Sequence, residues 1–156
     1  LGGIGCTQQQ ESFISSPNQN LTLSLQLTED GMPVYEASFR DAAIIAPSTM
    51  GFDIQDMPYL GKNMEIVNVE HDSFNETWET VWGEKREVKN HYNEMLVALR
   101  EKDEPNRLMN IRFRVYDDGL AFRYEFPEQE ELVYFVIEDE KTSFLTPLFT
   151  HASSTL

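Results

Sequence analysis

The chain is short of the residues that most often announce chemistry. It has one cysteine, Cys6, and three histidines, His71, His91 and His151, in 156 residues. A single cysteine excludes an intrachain disulfide, and histidines this scattered make no zinc-ligand pattern. There is no Gly-rich phosphate loop, no serine nucleophile elbow and no reactive-cysteine motif. Basic residues are scarce too: 12 Lys and Arg against 27 Asp and Glu give a net charge of −15. The acids are spread along the chain, and such a surface repels nucleic acid phosphates and anionic lipid headgroups, so neither is an expected partner. Spread acidity can recruit Ca²⁺, but a solvated face that aids solubility is the simpler reading. No segment is apolar for long enough to span a bilayer. With 40% hydrophobic residues, the length suits one domain with a real core.

The lone cysteine is informative by position. The chain opens Leu-Gly-Gly-Ile-Gly-Cys, without an initiator Met, and continues Thr7-Gln8-Gln9-Gln10-Glu11-Ser12. Small and apolar residues ending in Gly-Cys before a polar run resemble the cleavage region of a bacterial lipoprotein signal, although Gly3 stands where a Leu is usual. On that reading Cys6 is the lipidated residue, and residues 1–14 are a signal remnant and tether. The domain then sits outside the cytoplasm, and a lipid anchor is its only membrane contact. An ordinary N-terminus that happens to hold a Cys is the plainer alternative.

Period-two alternation dominates the chain beyond this opening. Asn110 to Pro127 (NIRFRVYDDGLAFRYEFP) sets Ile111, Phe113 and Val115 on one side and Arg112, Arg114 and Tyr116 on the other. After Asp117-Asp118-Gly119 the pattern restarts with Leu120, Phe122, Tyr124 and Phe126. Two alternating runs joined by Asp-Gly predict a hairpin whose Gly adopts positive φ. Leu21–Leu27 and Pro33–Phe39 predict another strand pair around Glu29-Asp30-Gly31, with a tight connection at Asp41-Ala42. Met50, Phe52 and Ile54 alternate as well, and strand signals recur at 64–69, 77–82 and 132–137. Residues 88–100 fit a helical stripe through Val88, Tyr92, Met95, Leu96 and Leu99, yet Met95, Val97 and Leu99 also alternate. The all-β surroundings favour a long strand. Short strands at this spacing predict an all-β, antiparallel β-sandwich.

The densest polar block is Trp82-Gly83-Glu84 with Asn90-His91-Tyr92-Asn93-Glu94. A tryptophan face suits the apolar C–H patches of a sugar, and Asn, Glu and His suit its hydroxyls. Trp82, Glu84, His91, Asn93 and Glu94 are therefore candidate substrate or domain-interface residues. The structural alternative puts Trp78 and Trp82 in the core and the polar groups in turns or an interface. Glycoside hydrolysis needs two carboxyls roughly 5 to 9 Å apart, and the spacing of Glu84 and Glu94 is not diagnostic. No catalytic residue and no metal ligand is assigned.

The blocks Asn75-Glu76-Thr77-Trp78, Val81-Trp82-Gly83-Glu84 and Val88 to Glu94 resemble the N-terminal domain of glycoside hydrolase family 97. So do Phe113 to Tyr124 and Val136 to Phe144, in the same order over residues 15–144. The resemblance implies a partial β-super-sandwich of the galactose-mutarotase-like type, preceding a catalytic (β/α)8 barrel absent from this chain. It implies α-glucosidases or α-galactosidases of the bacterial periplasm or outer membrane, with α-linked oligosaccharides as substrates. It also implies Ca²⁺ in the full-length enzymes. The family's catalytic carboxylates and most calcium ligands lie on the barrel, so none is carried over to a residue here.

Two departures accompany the resemblance. Only about the first half of the family's sandwich is present, and residues 145–156 (LTPLFTHASSTL) form an atypical tail. Half a sandwich leaves an apolar face or edge uncovered, which predicts self-association. Beside a supporting segment of a hydrolase, a surface-tethered carbohydrate-binding sandwich or a structural interaction module fits the same residues.

Overall fold

Ten strands account for nearly all the regular structure among the described residues, and side-chain alternation decides which way each strand faces. The computed structural model describes residues 12–79 and 87–147, with backbone alone for 78, 79 and 87–89. β1 (Ser12–Ser15), β2 (Leu21–Leu27), β3 (Pro33–Phe39) and β4 (Ala42–Thr49) form one antiparallel sheet in sequence order. β6 (Met64–Glu79), β7 (Glu87–Glu101), β8 (Leu108–Tyr116) and β9 (Leu120–Glu125) form the second. β5 (Phe52–Ile54) and β10 (Ile137–Glu140) make a small third sheet.

The two large sheets close on one another. Leu23, Leu25 and Tyr35 from the first meet Met95, Val97, Leu99, Ile111, Phe113 and Val115 from the second, all essentially inaccessible to solvent. Burying a side chain of this size contributes on the order of 1.5–3 kcal/mol, so these two rows supply the main cohesion. The fold is therefore an antiparallel β-sandwich. Among the described residues the inner faces cover each other along these rows. The end of the sandwich near β5 is filled by aromatic rings, with Phe52 against Tyr124 at 4.4 Å and Phe126 against Phe135 at 5.1 Å between centroids.

The hairpin expected at 110–127 is present as β8 and β9, and β7 is the long strand. Four details differ from expectation. Ser12 to Ser15 pairs with β2, and Ser12 and Ile14 are buried, so the last part of the anticipated tether is sheet. The signals at 64–69 and 77–82 belong, as far as Glu79, to one continuous strand, in which a register shift between Ile66 and Asn68 moves the inward side from Met64 and Ile66 to Val69. The last strand is not at 132–137. Glu130–Leu132 is a 3-10 turn with Leu132 as its buried anchor, and pairing resumes only at Ile137. Finally, Gly119 does not take positive φ; Asp117 and Asp118 occupy the turn, closed by Tyr116 N–H donating to the Gly119 carbonyl at 2.8 Å. The two-residue turn with positive φ is Arg40-Asp41, at 48° and 65°, between β3 and β4.

Candidate functional site

The polar block lies on the long β6–β7 hairpin, which outruns its neighbours. β8 pairs with β7 only as far as Tyr92↔Tyr116, while β6 and β7 continue together from Asn75↔His91 to Glu79↔Glu87. A two-stranded ribbon is marginal alone. At its root it is held by rings: Phe74 stacks on Tyr92 at 4.9 Å, Tyr92 lies 5.1 Å from Tyr116, and the Arg114 guanidinium sits 4.8 Å over Tyr92.

Successive residues of β7 face opposite ways, and this divides the predicted site. Asn93 faces the first sheet. Its Nδ2 donates to the Ser15 carbonyl at 2.8 Å, and its Oδ1 accepts from Ser73 Oγ at 2.8 Å. Nearby, His71 Nε2 donates to the Phe13 carbonyl at 3.0 Å. These bonds clasp edge strand β1 onto the hairpin. A shallow cleft of about 300 Å³ lies there, with Ser15, Gln19, His71, Asp72 and Asn93 in its walls. His91 is on the same side of β7 as Asn93, half-buried, at the start of the ribbon.

Glu94 faces the other way and is buried at 6% exposure. Its Oε2 accepts from Arg114 Nε at 2.7 Å and its Oε1 from Arg112 Nη1. Arg112 also reaches Glu125 on β9, through Nε at 2.6 Å and Nη2 at 3.1 Å, and Arg123 joins Glu125 at 2.7 Å. Burial alone would raise the Glu94 carboxyl, but Arg114 and Arg112 outweigh it and hold it below its usual range. Glu125 is likewise lowered, by Arg112 first, against burial, and by Arg123. Both carboxylates stay ionised and paired, so neither is poised as a general acid.

Of the sequence candidates, His91 and Asn93 share a face, Glu94 stands on the opposite one, and Trp82 and Glu84 lie outside the described residues. Sequence reasoning passed over Arg112, Arg114, Arg123 and Glu125, which make up most of the ionic array. The available signal was their shared outward parity in the hairpin. Among the described residues, no group of three or more His, Cys, Asp or Glu is arranged to hold a metal ion.

A profile of the Glycosyl-hydrolase 97 N-terminal family matches residues 14–154. The chain belongs to that family. Solved structures agree. A Glycoside Hydrolase Family 97 enzyme from Pseudoalteromonas sp. strain K8, in complex with panose, superposes with a TM-score of 0.80 at 29% identity. A second structure described in the same terms, in complex with acarbose, gives 0.81 at 28%. Each alignment covers 86% of this chain and 20% of the enzyme, so the chain spans about a fifth of their length. A beta-arabinopyranosidase shares the fold, with a TM-score of 0.77 at 22% identity.

Proposed function

We propose that this chain is the N-terminal supporting domain of a glycoside hydrolase acting on α-linked glucosides or galactosides, its catalytic barrel lying outside these residues. The observation that carries the reading is how the central acids are used. Glu94 and Glu125 are bound by three arginines, and Asn93 holds β1 in place, so the described part of the hairpin is framework. Family membership and likeness to enzymes solved with panose and acarbose support a carbohydrate substrate of the parent enzyme. The same reading places the domain in the periplasm or at the outer membrane, anchored through Cys6, with calcium bound by the parent enzyme's other parts.

The isolated chain should then leave 4-nitrophenyl α-glucoside and α-galactoside uncleaved at high protein concentration, with or without added Ca²⁺. Turnover that survives repeated purification would refute a purely supporting role.

A further inference from the structure

One apolar surface stays uncovered by the rest of the described residues. Five consecutive apolar residues, Val133 to Ile137, follow the 3-10 turn, the last of them opening β10. Val133 is 65% exposed, Tyr134 93%, Val136 59% and Ile137 42%. Contiguous exposure of large apolar side chains is unusual on a monomer and marks a contact surface. The strap is not loose. Leu132 is buried before it, Phe135 turns inward against Phe126, and the Val136 carbonyl accepts from Gln55 N–H at 2.9 Å. Anchoring at Leu132 and Phe135, three residues apart, and at the Val136 backbone leaves the Tyr134 and Val136 side chains outward, beside a cleft of about 490 Å³ walled by Gln55, Asp56 and Met57.

Charge indicates what fits there. The strap is framed by exposed acids, Glu130 and Glu131 before it and Glu138, Asp139 and Glu140 after it. The cation beside β10, Lys141, is already engaged by Asp53 and Asp139. A second copy of the chain would bring an identical acidic frame against this one. That opposes the self-association expected from the sequence at this surface. A complementary partner has an apolar centre and a rim of Lys or Arg.

We propose that Val133, Tyr134, Val136 and Ile137 form the surface on which the remainder of a family-97 enzyme docks, through an apolar patch with a basic rim. This rests on the supporting-domain reading and names the place where support is given. Relatives five times as long as this segment have the protein surface to cover it.

The test titrates the 156-residue chain into the Pseudoalteromonas enzyme expressed without its matching fifth. Wild-type chain should bind. Tyr134→Ser with Val136→Ser should weaken binding on the order of tenfold or more, as loss of a central anchor does. Glu130→Lys with Glu138→Lys should weaken it severalfold, and added salt should do the same to wild type. Because these residues face solvent, both variants should melt within ~2 °C of wild type when isolated. Absence of wild-type binding, binding indifferent to both variants, or sedimentation of the chain as a dimer through this strap would each overturn the proposal. Tight binding by a chain that itself cleaves sugar would refute the supporting role and leave the docking surface standing.

Discussion

Asn93 on β7 donates to the Ser15 carbonyl on β1 at 2.8 Å, and this bond joins the long hairpin to the edge of the opposite sheet. A residue that reads in sequence as a candidate substrate or domain-interface group makes a clasp between strands in the fold. Asn93→Ala should therefore lower unfolding free energy by ~1 kcal/mol, the usual value of a net hydrogen bond, as measured by urea titration. A purely ligand-binding Asn would leave that titration unchanged.

The ionic array gives the domain a pH dependence of definite sign. Glu94 and Glu125 both titrate below the ordinary carboxyl value of 4.5 in the folded state. Depressed pKa values stabilise fully above the unfolded pKa, and the gain is lost as pH falls through the folded values. Stability should be nearly flat from pH 7 to about 5 and fall steeply below about pH 4. Glu94→Gln should cost on the order of 2 kcal/mol at pH 7 and flatten the acid limb. That is less than a fully buried pair, since Arg112 and Arg114 remain 22% and 37% exposed. An acid limb identical in the variant would contradict the assignment.

Two glycines should behave oppositely. Gly31 has φ of 69°, and a Cβ there would stand 2.6 Å from the Met64 nitrogen, so Gly31→Ala should destabilise by ~2 kcal/mol. Gly119 has ordinary φ and open space, so Gly119→Ala should stay within ~0.5 kcal/mol of wild type or add slightly to stability. Thermal melts of the two variants decide it. A large loss at Gly119 would restore the primed turn that the sequence suggests.

A buried ion pair closes the β7–β8 connection. Arg107, 1% exposed, donates to Glu101 through Nε at 2.8 Å and Nη2 at 2.6 Å, and to the Pro58 carbonyl at 2.9 Å. Arg107→Met leaves Glu101 buried without its counter-charge and should cost about 3 kcal/mol or more. Adding Glu101→Leu should recover much of that loss. A double variant no more stable than the single one would contradict this origin of the cost.

Much of the architecture was readable from parity. Ile111, Phe113 and Val115 sit in the core because period-two burial follows from backbone geometry alone, whereas at β7 periodicity also fitted a helical stripe and only the all-β surroundings pointed to a strand. Turn geometry was less accessible. Asp-Gly at 118–119 carries the stronger local signal, yet the left-handed turn is Arg40-Asp41, where the Phe39↔Ala42 pairing imposes it. The apolar run at 132–137 also misleads, since hydrophobicity cannot separate a buried strand from an exposed strap pinned by Leu132 and Phe135. The candidate site was half legible. Asn93 and Glu94 stood out by residue type, but they acquire their contacts from Ser15, Arg112 and Arg114, which are far away in sequence.

Calorimetric titration of the isolated chain with panose, alongside His91→Ala and Trp82→Ala, tests most directly whether the domain supports a sugar site or forms one. A supporting domain gives no binding heat into the millimolar range for any of the three proteins. Saturable binding by wild type, abolished in either variant, would contradict it and make the hairpin a sugar-binding site in its own right.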